Sequence, residues 1–376
     1  MLFAKRSGEL LLMLAATLVV ITLALAFANG ANDVSKGIAT LVGSGVSNYR
    51  RAVIWGALCT VAGAVAAGFL TQALVSTFNG KGVLAQAQTS HAFLLAVACG
   101  AVGWLIVATR TGMPVSTTHS LAGALIGTAL VSAGTGGIAW KAVASKVAIP
   151  LLLSPAIALL LLIAILPLLR PFIARFTRYC VCVEATESTL VTPEGMTLRQ
   201  SMTTVQAGPD RACTTAVARF GVVDTLHWIS SGATSFFRGV NDAPKVLAIG
   251  VAAGTVVGLT NIGLYVLVAG AMGAGSLIAG FRVTRTLAEK VTPIEPGNGF
   301  AANLVTALLV AVASRFAVPV STTHVSTGAI VGVGLSRGGG DLRWKTVGEM
   351  LLAWVVTLPT SAALAALAYE IIRFTS

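Results

Sequence analysis

Charge is what this chain has least of. Only 10% of its 376 residues are Asp, Glu, Lys or Arg, whereas a soluble domain carries about 25%. So thin a polar coat cannot dress a water-facing surface. With 56% hydrophobic residues and a mean hydropathy of +0.87, the composition is that of an integral membrane protein. Acidic residues are scarcest, 13 against 25 basic ones, for a net charge of +12. That excess does not indicate nucleic acid, because the basic residues are scattered between apolar runs instead of lining one polar face. They read as cytoplasmic flanks of membrane spans. Cysteine is sparse too, with five residues. Cys180-x-Cys182 lacks both the spacing of a redox CxxC and a second pair to complete a zinc site. The first apolar run is too long for a typical signal-peptide core and shows no cleavage signature, so it is expected to stay as a helix.

What the chain does have is apolar runs with a few charges in unusual places. Residues 10 to 28 are uncharged, and at about 1.5 Å per residue they cover about 28 Å, one crossing of a bilayer. The chain then reads Phe27-Ala28-Asn29-Gly30-Ala31-Asn32-Asp33-Val34-Ser35-Lys36. Charge at membrane depth is costly and marks function. The same order, Gly-x-Asn-Asp-x-x-Lys, returns in Arg238-Gly239-Val240-Asn241-Asp242-Ala243-Pro244-Lys245. A second motif follows each copy: Pro114-Val115-Ser116-Thr117-Thr118-His119 and Pro319-Val320-Ser321-Thr322-Thr323-His324. Both motifs recur about 205 to 209 residues downstream, in the same order, which identifies a duplicated chain.

The organisation follows. Residues 1–169 form a first membrane repeat, 170–219 an Arg-rich cytoplasmic linker with too few apolar residues to build a core, and 220–376 a second repeat. Residues 34–46, short and glycine-rich, are expected to form a half-helix, and 77–90 a polar connecting loop. The stretch 220–237, interrupted by Asp224, His227 and Trp228, suits an interior helix. The run 246–281 is too long for one span and must break, near Gly254 or Gly258 or at a junction of a half-helix with a full one. The fold class is an all-α polytopic membrane protein of roughly 10–12 segments with broken or re-entrant helices. An odd number of crossings per half would invert the two repeats and bring their motifs together near the midplane.

Asn and Asp oxygens are hard ligands suited to an alkali cation, so Asn32, Asp33, Asn241 and Asp242 are candidate cation-coupling residues, with helix capping as the plainer alternative. Ser116, Thr117, Thr118, Ser321, Thr322 and Thr323 offer hydroxyls and backbone N–H groups at two helix starts, a seat for a tetrahedral oxyanion. His119 and His324 are candidates for proton movement or for ordinary buried contacts. No metal site is expected beyond sodium at the Asn/Asp positions.

These four motif copies resemble the inorganic phosphate transporter family, and the resemblance covers both halves, leaving only the linker. It implies a phosphate permease, not an enzyme, with two inverted repeats and a dimeric assembly in the cell membrane. It needs no organic cofactor and couples to a proton or to sodium. It implies cation binding by Asn32, Asp33, Asn241 and Asp242, and phosphate binding by the two Ser-Thr-Thr runs. Some related permeases resemble sulfate carriers, and an uncoupled anion channel is the reading from another class. The chain departs from the family at one point. Where the sodium-coupled pattern continues from Asn-Asp-Val-Ala to Asn, it has Ser35 and Lys36, and in the second copy Pro244 and Lys245. Each lysine is expected to stand in for a bound cation beside its aspartate, to contact the anion, or to reach an interface.

Overall fold

A computed structural model describes residues 2–70, 75, 78, 83–85, 89–177, 179–191, 197–209 and 216–375. The first repeat comprises α1 (Leu2–Asp33), α2 (Ser35–Gly43), α3 (Tyr49–Leu70), α4 (His91–Thr111), α5 (Thr117–Ala133) and α6 (Ile149–Phe176). The second comprises α7 (Val222–Val256), α8 (Asn261–Ala279), α9 (Phe281–Glu289), α10 (Pro296–Arg315), α11 (Thr322–Leu335) and α12 (Trp344–Thr375). Among the described residues, seven helical stretches are long and apolar enough to cross a membrane. Helix α7 also runs through the whole layer, while carrying Arg238, Asp242 and Lys245.

Contacts at the helix ends sort them onto two faces. On the linker face, the end of α2 lies against Ala288 of α9, Arg282 donates to the Arg110 carbonyl at the end of α4 (2.9 Å), and Arg170 near the end of α6 donates to Ser336 after α11 (3.3 Å). On the opposite face, Phe93 at the start of α4 stacks edge-on against Tyr369 near the end of α12 (6.4 Å). Helices α4 and α10 therefore cross fully in opposite senses. Each is followed by extended chain, 113–116 or 318–321, that turns back into the layer before α5 or α11 completes the return. Counting that half-extended return, each half makes five crossings among the described residues, so the second repeat is inverted relative to the first.

The inversion shows in the packing. Helix α3 packs on α7, and its counterpart α8 packs on α1; α5 packs on α12, and its counterpart α11 packs on α6. The closest approaches repeat as well. A Cβ on Gly63 would meet the Phe236 carbonyl oxygen at 1.9 Å, and one on Gly275 would meet the Phe27 carbonyl oxygen at 1.9 Å. Only glycine lets these backbones touch, which is how helices associate tightly in lipid. Both turns that lead into the broken segments are left-handed too, Gly112 (φ 75°) in the first half and Ala317 (φ 52°) in the second.

The structure departs from the sequence expectation in the segment after Asp33. The expected half-helix after Asp33 is a continuation of α1: Val34 is helical and its N–H still bonds the Gly30 carbonyl (3.2 Å). The helix need not open there, because Lys36 is neutralised by its own aspartate. The breaks lie instead at 113–116 and 318–321. The run 246–281 divides at Gly258, one of the two expected points, in a left-handed turn between α7 and α8. Much of the expected loop 77–90, namely 77, 79–82 and 86–88, lies outside the described residues.

The linker is not bare connection. Strands β1 (Tyr179–Val191), β2 (Thr197–Pro209) and β3 (Ala216–Gly221) form an antiparallel sheet of order β2-β1-β3, Tyr179 facing Pro209 and Cys180 facing Gly221. A lack of core-forming residues does not forbid a ladder, because backbone bonds and β-branched Val and Thr sustain paired strands without a deep interior.

Candidate functional site

The two extended segments enter from opposite faces and meet at mid-depth. Their contact is reciprocal: Thr118 Oγ1 donates to the Val320 carbonyl (3.3 Å), and the equivalent Thr323 Oγ1 donates to the Val115 carbonyl (2.7 Å). Ser116 caps α5 by accepting from His119 N, and Ser321 caps α11 by accepting from His324 N, each at 3.2 Å. Capping by a hydroxyl satisfies one of the unpaired N–H groups of a helix start. The two serines are thus engaged in capping, and Thr322 is buried beside them. The His119 and His324 rings face each other with centroids 4.5 Å apart, and His324 lies 3.9 Å from the Trp354 ring. The Leu151 carbonyl 3.0 Å from His324 Nδ1 can only accept, so that nitrogen carries the proton.

The Asn-Asp motifs on α1 and α7 bracket this crossing point. Lys36 Nζ sits in a cage of three oxygens: Asp33 Oδ1 at 2.7 Å, Asn32 Oδ1 at 2.7 Å and the Asn32 carbonyl at 2.8 Å. Lys245 Nζ has the equivalent cage, built from Thr118 Oγ1 at 2.8 Å, the Val320 carbonyl at 3.0 Å and Asp242 Oδ1 at 3.1 Å. Each ammonium uses all three of its donors. The spacing explains the pairing, since residues three and four apart on a helix share a face. Asn32 also donates to the Met113 carbonyl (3.0 Å) and Asn241 to the Val320 carbonyl (3.3 Å), so each motif grips a broken segment. The Asn, Asp and Lys side chains of the two motifs and those of Thr117, Thr118, Thr322 and Thr323 are all buried.

Two further residues, to which the sequence reading gave no role, complete the cluster. Asn29 Nδ2 lies 3.0 Å from Asp33 Oδ2, 3.0 Å from Thr117 Oγ1 and 3.3 Å from Asp242 Oδ2, which ties the carboxylates of both halves to one amide. Thr117 Oγ1 also donates to Asp33 Oδ2 (3.2 Å). Arg238, fully buried on α7, points Nη1 at Asn29 Oδ1 (3.5 Å) and Nη2 at Thr60 Oγ1 of α3. The signal in the sequence was positional: Asn29 and Arg238 both stand immediately before the glycine that opens a motif copy. His227, also buried, meets Thr40 at 2.9 Å and fastens α7 to α2, away from the cluster.

A cluster of two carboxylates, three cations and paired hydroxyls, closed from water at the meeting point of two helix starts, can hold an anion and move protons or cations with it. It contains no nucleophile and base arranged for bond cleavage. Comparison with known proteins agrees. Residues 29–365 match the model of the phosphate transporter family. The chain is 28% identical to a probable low-affinity inorganic phosphate transporter of Bacillus subtilis, over 97% of this chain and 99% of that protein. It is 28% identical to another of that name from Mycobacterium bovis, over 97% and 79%. It is 30% identical to the chloroplastic inorganic phosphate transporter 2-1 of Arabidopsis thaliana, over 89% and 68%. In fold it is similar to a solved sodium-dependent phosphate transporter, with a TM-score of 0.76 at 22% identity, covering 97% of this chain and 100% of that one. With its two inverted repeats and a match spanning both, this chain is a multi-pass membrane transporter that belongs to the phosphate transporter family.

Proposed function

We propose that this chain imports inorganic phosphate by symport with a cation, and that the cation is a proton. The observation that carries the reading is the pair of three-oxygen cages around Lys36 and Lys245. Asn32, Asp33, Asn241 and Asp242 supply oxygens of the kind an alkali cation would take, and in this chain an ammonium already fills each place. Coupling then runs through the Asp–Lys pairs. When a proton neutralises Asp33 or Asp242, the partner lysine is released to face the incoming anion. Phosphate docks against Thr117, Thr118, Thr322 and Thr323 and the N–H groups at the starts of α5 and α11. Ser116 and Ser321 hold those helix ends in shape. The loaded site reopens on the linker face, which the arginines at 170, 175 and 178 make the cytoplasmic one. The assembly unit is a homodimer.

Sodium symport is the second reading, favoured by the sodium-dependent transporter of similar fold. The test is uptake of labelled phosphate into proteoliposomes under separately imposed pH and sodium gradients, with sulfate as challenger. Uptake driven by the pH gradient without sodium supports the proton. Strict sodium dependence overturns it, and preferential displacement of the tracer by sulfate would reassign the oxyanion. Uptake that never exceeds equilibration under any gradient would make the protein an uncoupled channel.

A further inference from the structure

The two halves of the site are not equivalent, and the difference is a charge. Lys36 and Lys245 are each matched by one carboxylate. Arg238 stands at the position equivalent to Asn29, is as buried as either lysine, and has no carboxylate within salt-bridge distance among the described residues. Among the described residues its bonds go to neutral oxygens, on Asn29 and Thr60, and its Nε finds no acceptor. A charge taken out of water without a partner costs several kcal/mol, so a protein keeps one only where something compensates it. The cluster therefore carries one surplus positive charge: two carboxylates against three cations. Arg238 is one amide away from both aspartates and from Thr117, because Asn29 accepts from Arg238 and donates to all three.

We propose that Arg238 is a substrate-binding residue of the transport site, whose guanidinium takes two oxygens of the oxyanion and whose charge the anion neutralises. The inference rests on the phosphate-transport reading above. The planar fork matches a tetrahedral oxyanion in a way an ammonium does not. The unpaired Nε and Nη2, which exchanges its Thr60 contact for the anion, provide two parallel donors on one edge. With both Asp–Lys pairs intact, a monovalent phosphate brings the site to neutrality. A divalent anion leaves one negative charge, which a co-bound proton removes. A site with one surplus charge thereby favours protonated phosphate over sulfate, an anion that stays divalent at neutral pH. Because the surplus cation sits on one repeat only, it also fixes the anion on the α3–α7 side of the pseudo-two-fold axis.

The test compares R238K, which keeps the charge and loses the fork, with R238Q, which loses both, in proteoliposomes with phosphate as tracer. Expected is a KM for phosphate raised about 10-fold in R238K and about 100-fold or more in R238Q. Thermal midpoints should stay near wild type, and sulfate competition should weaken further relative to phosphate in R238Q, because the lost positive charge penalises a divalent anion more than a monovalent one. A residue that only tied α7 to α3 would lower stability and maximal rate together and leave KM and anion preference alone. Folded variants with KM within twofold of wild type overturn the assignment. If neither variant folds, modification of the wild-type protein by phenylglyoxal decides: phosphate should protect Arg238, and equal labelling with and without phosphate overturns the proposal. Wild-type protein that takes up no phosphate would instead sink the transport reading itself, a result distinct from normal uptake with an indifferent Arg238.

Discussion

Replacing Asp33 with asparagine removes one charge from the most constrained pair in the molecule. In the native site Asp33 Oδ1 holds Lys36 Nζ at 2.7 Å, while Oδ2 accepts from Asn29 and Thr117. Both partners of the ion pair are essentially inaccessible to water. D33N therefore strands a buried ammonium with two neutral oxygens of Asn32. Breaking a buried pair from one side costs about 3–5 kcal/mol. Removing both charges in D33N/K36M should recover most of that loss, since an apolar replacement of a buried pair is commonly neutral or stabilising. Transport should behave differently. Neither variant can exchange a proton between carboxylate and ammonium, so both should accumulate no phosphate although both reach the membrane. Thermal unfolding in detergent measures the first effect and gradient-driven uptake the second. Accumulation at the wild-type level in D33N, or a double variant no more stable than D33N, would refute the coupled-pair argument.

Other perturbations test other parts of the structure. G275A places a Cβ at 1.9 Å from the Phe27 carbonyl oxygen and should force α8 off α1, at about 1–3 kcal/mol of stability, read as a lower thermal midpoint. A317G relieves a non-glycine residue held at φ 52° and should raise stability by about 1 kcal/mol without altering uptake. Replacing His119 and His324 together with glutamine should leave pH-gradient-driven uptake in place, because neither ring bonds a carboxylate among the described residues; loss of gradient dependence with exchange retained would assign the proton to the rings. At the linker face, the Tyr49 hydroxyl (2.6 Å) and Arg285 (3.0 Å) hold the Glu289 carboxyl below its ordinary 4.5. A lowered folded value means its contribution is complete above 4.5 and disappears as pH falls through the lower value. E289Q should therefore lower the thermal midpoint slightly at pH 7, where the contribution is complete, and match wild type at the acid end of the profile, so that the acid limb flattens.

Much of this architecture was legible because the duplication writes each important position twice. Two Asn-Asp motifs at membrane depth and two Ser-Thr-Thr runs after them were enough to expect a pair of mirrored sites. The proline and serine at 114–116 mark a helix start that the structure places at mid-depth. In the sequence, 34–46 reads as a half-helix or a broken span because glycine and a lysine after an apolar run look like an unwound segment. What keeps that backbone helical is the Lys36–Asp33 pair, an energy term that no hydropathy window contains. The sheet in the linker is illegible for a related reason: its pairing lies in the register of Tyr179–Val191 against Thr197–Pro209, and the apolar content of the segment carries no sign of it. Thr60 could not be found at all from sequence, since an ordinary span threonine becomes part of the site only when α3 packs on α7.

The near-symmetry also explains how such a site can serve both faces. The reciprocal bonds of Thr118 to Val320 and Thr323 to Val115 make the closed state equally continuous with an opening toward either side. Opening toward the linker face must break the grip of Asn32 on Met113, behind which lies a cavity of about 110 Å³ lined by Pro114, Lys290 and Glu349. Opening toward the other face must break the grip of Asn241 and Lys245 on Val320. The side-chain donors to the first gate's carbonyls, Asn32, Thr323 and Trp354, are all neutral, while the second is held by an amide and an ammonium together. Protonating Asp242 frees Lys245 and so weakens the second gate more directly than the first. Under the proposed proton coupling, two gates with unequal dependence on one proton would give the transporter its direction. It follows that K245M should loosen the face opposite the linker selectively. Cysteines at Val318 and Met113 should report this as faster thiol labelling at 318 with labelling at 113 unchanged, and equal acceleration at both positions would remove the basis for directionality argued here.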